Sequence, residues 1–363
     1  MNSTFATEDT AISNSNNTDD GAGIGIRNPQ WTEKKTMNAV FQDNYGSPAD
    51  LKITEIPQPV PMENEVLVRV QAAGLHIGDC FGVRGAPLLM RAATGIFKPK
   101  YGVPGFDVSG TVEAVGKNVT RFKNGDEVFG ECNGSCAEYV STSEDKLALK
   151  PSNLSFEESA AVPTSALAAL HALRDVAKIQ AGQTILINGA SGGVGTFAVQ
   201  IAKSLGAEVT GVCSTKNVDI VRSIGADHVI DYTQDDFTQD GQQYDFIFDN
   251  VENRTLSDCR RALKPNGTLV LNSGTGAKGI GLMIRLFKPL ALSPFVRQDL
   301  RRYLSVPNHK DLVVLKGLIE SGEVTPVIDQ RYTLSEVPAA IWDLEKGHTC
   351  GKKVVSIVEH DKH

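Results

Sequence analysis

A glycine-rich segment, Gly189 to Gly195 (GASGGVG), has the residue types that bind the phosphates of a nucleotide. Small residues let the backbone approach a pyrophosphate, and the N-terminus of a following helix presents free N–H groups and a favourable dipole to its charge. Against the pattern G-x-G-x-x-G, Ala190 replaces the first glycine while Gly192 and Gly195 remain. A turn of this composition can also serve packing alone. We expect the cofactor to contact Gly189, Ser191, Gly192, Gly193, Val194 and Gly195.

The end of the next strand bears on which dinucleotide is bound. A carboxylate there would accept hydrogen bonds from the ribose hydroxyls of NAD. This chain instead has Val212 to Lys216 (VCSTK), with the hydroxyl of Ser214 and the cation of Lys216. Hydroxyls and a cation suit the additional phosphate of NADP, although a helix-capping hydroxyl beside a solvated lysine is the alternative. The missing acid favours NADPH as cofactor.

The elements around the glycine-rich segment support a nucleotide-binding domain. TILIN (Thr184 to Asn188) reads as a buried strand, and it precedes a helix whose apolar residues recur at three- and four-residue spacing: Val194, Phe197, Ala198, Ile201, Ala202 and Leu205. Repeated strand and crossover units predict a doubly wound parallel sheet. The further strand candidates are Glu208 to Cys213, His228 to Asp231, Phe246 to Asn250 and Thr268 to Asn272.

The rest of the chain has a different pattern of apolar residues and turns. From Ala39 to Val140, short alternating or β-branched runs are separated by Gly and Pro, which predicts a β-barrel-like domain. The portion after about Pro307 is again β-rich and is expected to rejoin it. Residues 1–35 are polar and lack apolar periodicity, which predicts a disordered tail. The resulting boundaries are 36–159 with 307–363 for one domain and 160–306 for the other.

Composition narrows the class of partner. The 363 residues are 41% apolar and carry a net charge of −7, which gives no reason to expect nucleic acid as the partner. No apolar run is long enough for a membrane-spanning helix. The six cysteines are scattered, and the first twenty residues contain acids but no Lys or Arg, unlike an import signal. We expect a cytoplasmic protein with a small-molecule substrate.

Three segments in this order resemble a known family: Pro104 to Gly130, Ala160 to Leu173 and Gly182 to Val209. The chain from about Met37 to Val358 is similar to the zinc-free quinone oxidoreductases of the medium-chain dehydrogenase/reductase superfamily. The resemblance implies an α/β fold with a GroES-like β-barrel domain and a Rossmann domain. It also implies an active site in the cleft between them, and a homodimer.

The resemblance implies further cofactor contacts by position. Lys216 and Tyr232 match the residues that hold the 2′-phosphate of NADPH in this family, with Ser214 beside them. Asn250, Ser273 and Gly274 fall at strand ends that face the adenine or nicotinamide portions. Tyr232 is alternatively a surface aromatic that ends a strand.

Comparison with the zinc alcohol dehydrogenases of the superfamily predicts that no metal is bound. The position of their first cysteine ligand aligns with His76, and their essential histidine aligns with Phe106. The third ligand is missing near Pro163, and Cys132 and Cys136 form a lone pair in place of a four-cysteine structural lobe.

The absence of a metal bears on the substrate. Without a Lewis acid the alkoxide of an alcohol has little to stabilise it, whereas a quinone or an α,β-unsaturated carbonyl places charge on an oxygen that hydrogen-bond donors or water can stabilise. By resemblance, residues 76–84 and 88–101 face this substrate. His76 and Asp79 are the candidate catalytic residues, to donate or relay a proton, with packing or ribose contact as the alternatives and solvent as another source of the proton.

Three other points stay open at this level. The apolar segment Gly281 to Leu304 is expected to cover the cleft or form a dimer contact, with a membrane surface as the alternative. A noncatalytic NADPH-binding sensor or structural protein of the same fold is the alternative function, because cofactor binding and turnover share one loop. A methyltransferase is disfavoured, because it predicts an acid at the end of the second strand and no large β domain ahead of it.

Overall fold

The first part of the chain forms an antiparallel β domain in the computed structural model, which describes residues 31–88, 91–272, 289, 292–347 and 349–358. Its strands are β1 (Trp31–Phe41), β2 (Lys52–Pro59), β3 (Glu65–Leu75), β4 (Asp107–Val115), β5 (Glu127–Glu131), β6 (Tyr139–Ser143) and β7 (Leu147–Leu149). Helices α1 (Ile77–Arg84) and α2 (Arg91–Thr94) lie between β3 and β4. The core is built from alternate strand residues, mainly Val66, Val68, Val70, Val108 and Val128.

Strand β1 begins inside the segment that the sequence analysis assigned to the disordered tail. Trp31 pairs with Pro59 of β2, and a register shift separates that pair from the regular pairing that starts at Thr36. The tail boundary at residue 35 is therefore too late, because a segment rich in charged residues, such as TEKK, can still form part of a strand at a sheet edge. Residues 1–30 lie outside the described residues.

Helices α3 (Phe156–Ala160) and α4 (Pro163–Leu170) lead from the β domain into a six-stranded parallel sheet. Its strands are β8 (Thr184–Asn188), β9 (Glu208–Cys213), β10 (His228–Asp231), β11 (Tyr244–Asp249), β12 (Leu263–Leu271) and β13 (Asp299–Arg302), and its helices are α5 (Gly193–Ser204), α6 (Val218–Ser223) and α7 (Leu256–Arg261). The spatial order is β10-β9-β8-β11-β12-β13. Two halves that run outward from β8 give the doubly wound Rossmann arrangement, which confirms the predicted fold class.

The sixth strand corrects one expectation. Asp299–Arg302 pairs with β12 in the sheet, although the sequence analysis placed these residues in a segment that covers the cleft or a dimer interface. Most of the apolar part of that segment, at 281–288 and 290–291, lies outside the described residues.

The C-terminal part returns to the first sheet. Strands β14 (Ile328–Thr333) and β15 (Lys352–Ser356) extend it in the order β14-β15-β3-β4-β5-β7, with β6 also paired to β3. Helix α9 (Val337–Glu345) packs against α1. Helix α8 (His309–Glu320), although beyond residue 307, buries its apolar face in the core that includes α4 and α5. The exact domain boundaries therefore remain a proposal.

Candidate active site

The glycine-rich turn between β8 and α5 is shaped for a close approach to its backbone. Gly189 has φ +81, and a Cβ on Gly195 would lie 2.0 Å from the carbonyl oxygen of Gly189, so neither position accepts a larger residue without strain. Gly192 is the N-cap of the twelve-residue α5 and provides no side-chain cap. The first N–H groups of α5 are thus left for another acceptor, and their dipole favours a negative charge.

Two residues from other parts of the chain hold the glycine-rich turn in place. The Ser191 hydroxyl accepts a hydrogen bond of 2.9 Å from the amide of buried Asn217, which follows β9. The Ser191 carbonyl accepts one of 2.8 Å from the N–H of Gly351, and Gly351 forms an isolated bridge with Gly192. The β domain therefore contacts the phosphate-binding turn through the start of β15. Sequence reasoning missed Asn217 and Gly351, because both are far from the turn along the chain.

The three residues expected at the 2′-phosphate lie at one edge of the parallel sheet. Ser214 and Lys216 follow β9, and Lys216 is exposed. Tyr232 follows β10, donates its N–H to Cys213 O at 3.0 Å and has 42% of its surface exposed. A cation, a hydroxyl and an aromatic side chain at this edge fit a phosphate group.

A carboxylate that the sequence analysis did not single out lies at the same edge. Asp231 accepts hydrogen bonds from Thr215 Oγ1 at 2.6 Å and from Thr233 Oγ1 at 2.8 Å. The Thr215 bond is the main reason why the pKa of Asp231 lies below its ordinary value. Asp231 thus places a negative charge near the proposed phosphate position. Its location was readable from the parallel pairing of β10 with β9, which sets Asp231 beside Cys213.

Asn250 lies at the carboxyl end of β11, as expected for a cofactor-facing residue. Its Oδ1 accepts a hydrogen bond of 2.9 Å from Asn272, and its N–H donates to Asn188 O at 3.1 Å. Beneath it, Asn188 donates to buried Asp249 at 2.8 Å, and burial raises the pKa of Asp249. These hydrogen bonds connect the carboxyl ends of β8, β11 and β12, which lie beside the glycine-rich turn. Ser273 and Gly274 lie outside the described residues.

On the β-domain side, His76 is the N-cap of α1. Its Nδ1 accepts a hydrogen bond of 2.9 Å from Gly78 N–H, so a neutral imidazole must carry its hydrogen on Nε2. Nε2 is buried and has no hydrogen-bond partner among the described residues. The ring stacks on Phe106, with centroids 5.3 Å apart. His76 therefore presents a buried N–H donor next to an aromatic wall.

Asp79 lies beside His76, but both of its oxygens bond to the main chain. Oδ2 accepts from His76 N–H and Oδ1 accepts from Gly105 N–H, each at 2.8 Å. Burial raises the pKa of Asp79, and its side chain is 1% exposed. This geometry supports a positioning role, in which Asp79 ties α1 to the loop before β4, more than the proton relay suggested from sequence.

A buried ion pair connects the two halves of the site. Lys352 Nζ lies 3.0 Å from Asp107 Oδ2, and the two side chains are 2% and 0% exposed. The other Asp107 oxygen accepts hydrogen bonds from the N–H and hydroxyl of Thr164, at the start of α4. The Lys352 stem passes close to the turn, since a Cβ on Gly193 would lie 3.1 Å from Lys352 Cδ. Contacts therefore run from the glycine-rich turn through Lys352 and Asp107 to the neighbouring Phe106.

Glu131, at the end of β5, borders this ion pair. Its pKa is raised to about 7, first by burial and next by the charge of Asp107, while a hydrogen bond with Thr164 acts in the opposite direction. Glu131 is therefore partly protonated at neutral pH. Sequence reasoning had no signal for this, because the cause is its tertiary environment.

The aligned positions of the zinc ligands are His76, Phe106 and the region of Pro163, and a phenyl ring cannot bind a metal. Within the described ranges no group of three or more His, Cys, Asp or Glu side chains is arranged to hold a metal ion. Cys132 and Cys136 are buried free thiols. In the same part of the chain, no helix is long and apolar enough to cross a membrane.

Comparison with known proteins gives consistent matches over most of the chain. Residues 62–172 match the alcohol dehydrogenase GroES-like domain, and residues 224–355 match the family described as zinc-binding dehydrogenase. The chain is 32% identical over 338 residues to 2-methylene-furan-3-one reductase of Solanum lycopersicum, covering 88% of this chain and 79% of the relative.

Two further matches, one to a curated protein and one to a solved structure, also cover most of the chain. The chain is 33% identical over 340 residues to the chloroplastic NADPH-dependent alkenal/one oxidoreductase of Arabidopsis thaliana, with 88% and 80% covered. Among solved structures, the quinone oxidoreductase of Coxiella burnetii superposes with a TM-score of 0.78 at 29% identity, covering 89% of this chain and all of that one.

Proposed function

Because this chain belongs to the zinc-free quinone oxidoreductase-like family of the medium-chain dehydrogenases/reductases, we propose that it reduces α,β-unsaturated carbonyl compounds or quinones with NADPH. The observation that carries this proposal is the continuous set of contacts across the cleft. The phosphate-binding turn, Lys352, Asp107 and Phe106 adjoin one another, and Phe106 stacks on His76. A bound dinucleotide and an acceptor at His76 are therefore held next to each other.

The cofactor site fits NADPH on the described residues. The N-terminus of α5, the room above Gly192 and the exposed Lys216 suit a pyrophosphate and a further phosphate, and Ser214, Tyr232 and Asn250 complete the contacts we assign. Bound NADPH supplies a hydride to an electron-poor carbon. The residues of this chain bind and orient it, and the hydrogen bond from Gly351 N–H to Ser191 O holds the turn against the start of β15.

His76 is the residue we assign to the acceptor oxygen. Hydride addition to a conjugated acceptor builds negative charge on that oxygen, and a preorganised N–H donor stabilises the charge. The Nε2–H of neutral His76, which has no partner within the described ranges, is such a donor, and its orientation is fixed by the Gly78 bond and the Phe106 stack. Asp79 acts indirectly by fixing the main chain of His76 and Gly105. The proton that completes the reduction comes from solvent, because neutral His76, whose Nδ1 accepts from Gly78 N–H, would become an imidazolate if it released the Nε2 proton.

The proposal includes catalysis without a metal, since Phe106 replaces the ligand that a catalytic zinc would need. We also propose a homodimer and a cytoplasmic location. The dimer is supported by the family resemblance alone, and light scattering of the purified chain tests it. The six free cysteines fit a reducing compartment, of which the cytoplasm is one, whereas several relatives are named chloroplastic or mitochondrial. Imaging of the full-length protein in its own cells tests the location.

The direct test of function is loss of NADPH absorbance with methyl vinyl ketone, a benzoquinone and a saturated ketone as acceptors. We expect turnover of one or both conjugated acceptors, a preference for NADPH over NADH, and no effect of a chelator. Tight NADPH binding without turnover of any acceptor would contradict the proposal and favour a noncatalytic sensor. Loss of activity with the chelator would contradict the metal-free mechanism.

A further inference from the structure

A cavity of about 300 Å³ lies in the β domain beside His76 and Phe106. It is lined by residues of α1, of the loop before β4 and of the turn after β5. Most of its surface is apolar, and the side chains that form it include Val83, Pro99, Tyr101, Val103, Pro104 and Phe106. This volume is at the lower end of the range of ligand pockets, about 300–1,000 Å³, and suits a ring-sized apolar group.

A buried polar atom of the cavity wall has no hydrogen-bond partner in the part of the chain that the structure describes. Gln42, which directly follows β1, is 7% exposed, and its amide nitrogen donates to Val83 O at 3.4 Å. That contact leaves the carbonyl oxygen of the side chain as the remaining polar atom, and it is buried without a hydrogen bond among the described residues. Leaving a buried acceptor without a partner is unfavourable, because the acceptor has lost its hydrogen bonds to water. Gln42 Oε1 is therefore prepared to accept a hydrogen bond from a ligand.

The carboxylate of the cavity wall, Asp79, does not need a hydrogen bond from a ligand. Asp79 also lines the cavity, but both of its oxygens bond to main-chain N–H groups. The side chain that links the cavity to the reaction site is Phe106, which both lines the cavity and stacks on His76. A substrate with its reacting carbonyl at His76 thus has an apolar space nearby for its other end.

We propose that this cavity is a subsite for an apolar ring carried by the acceptor, and that Gln42 Oε1 accepts a hydrogen bond from a hydroxyl on that ring. The substrate class is then a ring-bearing unsaturated ketone with a hydroxyl group remote from the reacting double bond. This inference rests on the proposed function, because it assigns the distal part of the same substrate.

Gly82 offers a way to fill the cavity without disturbing its walls. It lies on α1 and lines the cavity, and a Cβ there would meet no atom within 4 Å. We expect Gly82→Leu to raise the KM for benzalacetone on the order of tenfold, because the ring loses its buried surface. Methyl vinyl ketone, which has no ring, should keep its kinetics. The matched control is Gly317→Leu, on an exposed position of α8 with equally open space.

Gln42→Met tests the hydrogen bond separately, because methionine has a similar shape and no strong acceptor. In the wild type we expect para-hydroxybenzalacetone to have a KM about three- to tenfold lower than the para-methoxy compound, which cannot donate. Gln42→Met should remove that preference and leave the kinetics of methyl vinyl ketone unchanged. Circular dichroism of each variant checks that it folds.

Calorimetric binding of the saturated analogue, para-hydroxybenzylacetone, to the protein with NADP⁺ gives a readout independent of turnover. We expect weaker binding to both cavity variants and unchanged binding to Gly317→Leu. Equal binding and equal hydroxyl preference in wild type, Gly82→Leu and Gln42→Met would overturn the subsite, even if methyl vinyl ketone is reduced. If methyl vinyl ketone is not reduced, the proposed function fails, and the calorimetry still decides whether the cavity binds the hydroxyaryl ring.

Discussion

The buried ion pair of Lys352 with Asp107 gives the sharpest expectation about how the site is held. Lys352→Met keeps most of the stem that packs on Gly193 but removes the ammonium group. Asp107, which is 0% exposed, then keeps its two Thr164 hydrogen bonds but has no counter-charge for Oδ2. Removing one member of a buried pair costs about 3–5 kcal/mol, because the remaining charge is left without compensation.

The size of the effect should depend on which partner remains. We expect Lys352→Met to lower the free energy of unfolding by about 3 kcal/mol, at the low end of that range because Thr164 still bonds Asp107. The double variant Lys352→Met/Asp107→Asn removes the isolated charge and should recover more than half of the loss. Urea denaturation of both variants and the wild type measures these free energies.

The same change should also affect the cofactor. The ion pair with Asp107 anchors the start of β15, where Gly351 N–H bonds to Ser191 O of the glycine-rich turn. Loss of the ammonium group should loosen this anchor, and we expect a Kd for NADPH on the order of tenfold higher in Lys352→Met. Lys353→Met is the matched control, since Lys353 is also buried and pairs with Asp329 at 3.0 Å and with Tyr332. It should lose stability without a change in the Kd. A double variant less stable than Lys352→Met, or equal effects of both lysine variants on NADPH binding, would refute the reasoning.

Three other changes test separate parts of the site. His76→Phe should lower kcat/KM for methyl vinyl ketone about 100-fold with little change in NADPH binding, and His76→Asn, which keeps a donor and a cap, should recover part of the loss in steady-state kinetics. Asp231→Asn should lower the KM for NADPH about two- to fivefold without improving NADH, because it removes a negative charge near the proposed 2′-phosphate position. The pKa of Glu131 is raised to about 7 from an ordinary value of 4.5, so its stabilising effect is present below pH 4.5 and is lost as the pH rises through about 7. Glu131→Gln should therefore gain stability relative to the wild type over this window, by up to about 3 kcal/mol near pH 8, in urea denaturation at several pH values.

Each of these has a contrary result that is easy to recognise. Equal kcat/KM values for His76→Phe and the wild type would show that Nε2 does not stabilise the acceptor oxygen. An unchanged ratio of the NADPH and NADH constants in Asp231→Asn would place the phosphate away from this edge. A pH-independent difference between Glu131→Gln and the wild type would mean that Glu131 does not titrate near neutral pH in the folded protein.

The parallel sheet could be predicted from the sequence to a large extent. Strands buried on both faces are apolar runs, and Thr184–Asn188 and Glu208–Cys213 have the predicted bounds. The edge strand His228–Asp231 also has its predicted bounds, although none of its residues is buried. Asp299–Arg302 was missed because an edge strand tolerates charged residues, so DLRR has no apolar signal. The same reason explains the early start of β1 at Trp31.

The candidate site was predictable only in its local parts. The glycine-rich turn and the residues after β9 are read from one short segment each. The pairing of Lys352 with Asp107 joins residues 245 positions apart, and no local pattern reports it. The orientation of His76, with Nδ1 bonded and Nε2 left as the donor, likewise depends on the fold of the turn that follows it.

The central claim is that hydride passes from NADPH to the β-carbon of an unsaturated carbonyl compound. The most direct measurement uses NADPH deuterated at the transferable position of the nicotinamide, with methyl vinyl ketone as acceptor and NMR of the product in the presence of a chelator. We expect butanone with deuterium in the methyl group that was the terminal alkene carbon. Deuterium on the carbinol carbon of an alcohol product, or no transfer of the label, would contradict the account.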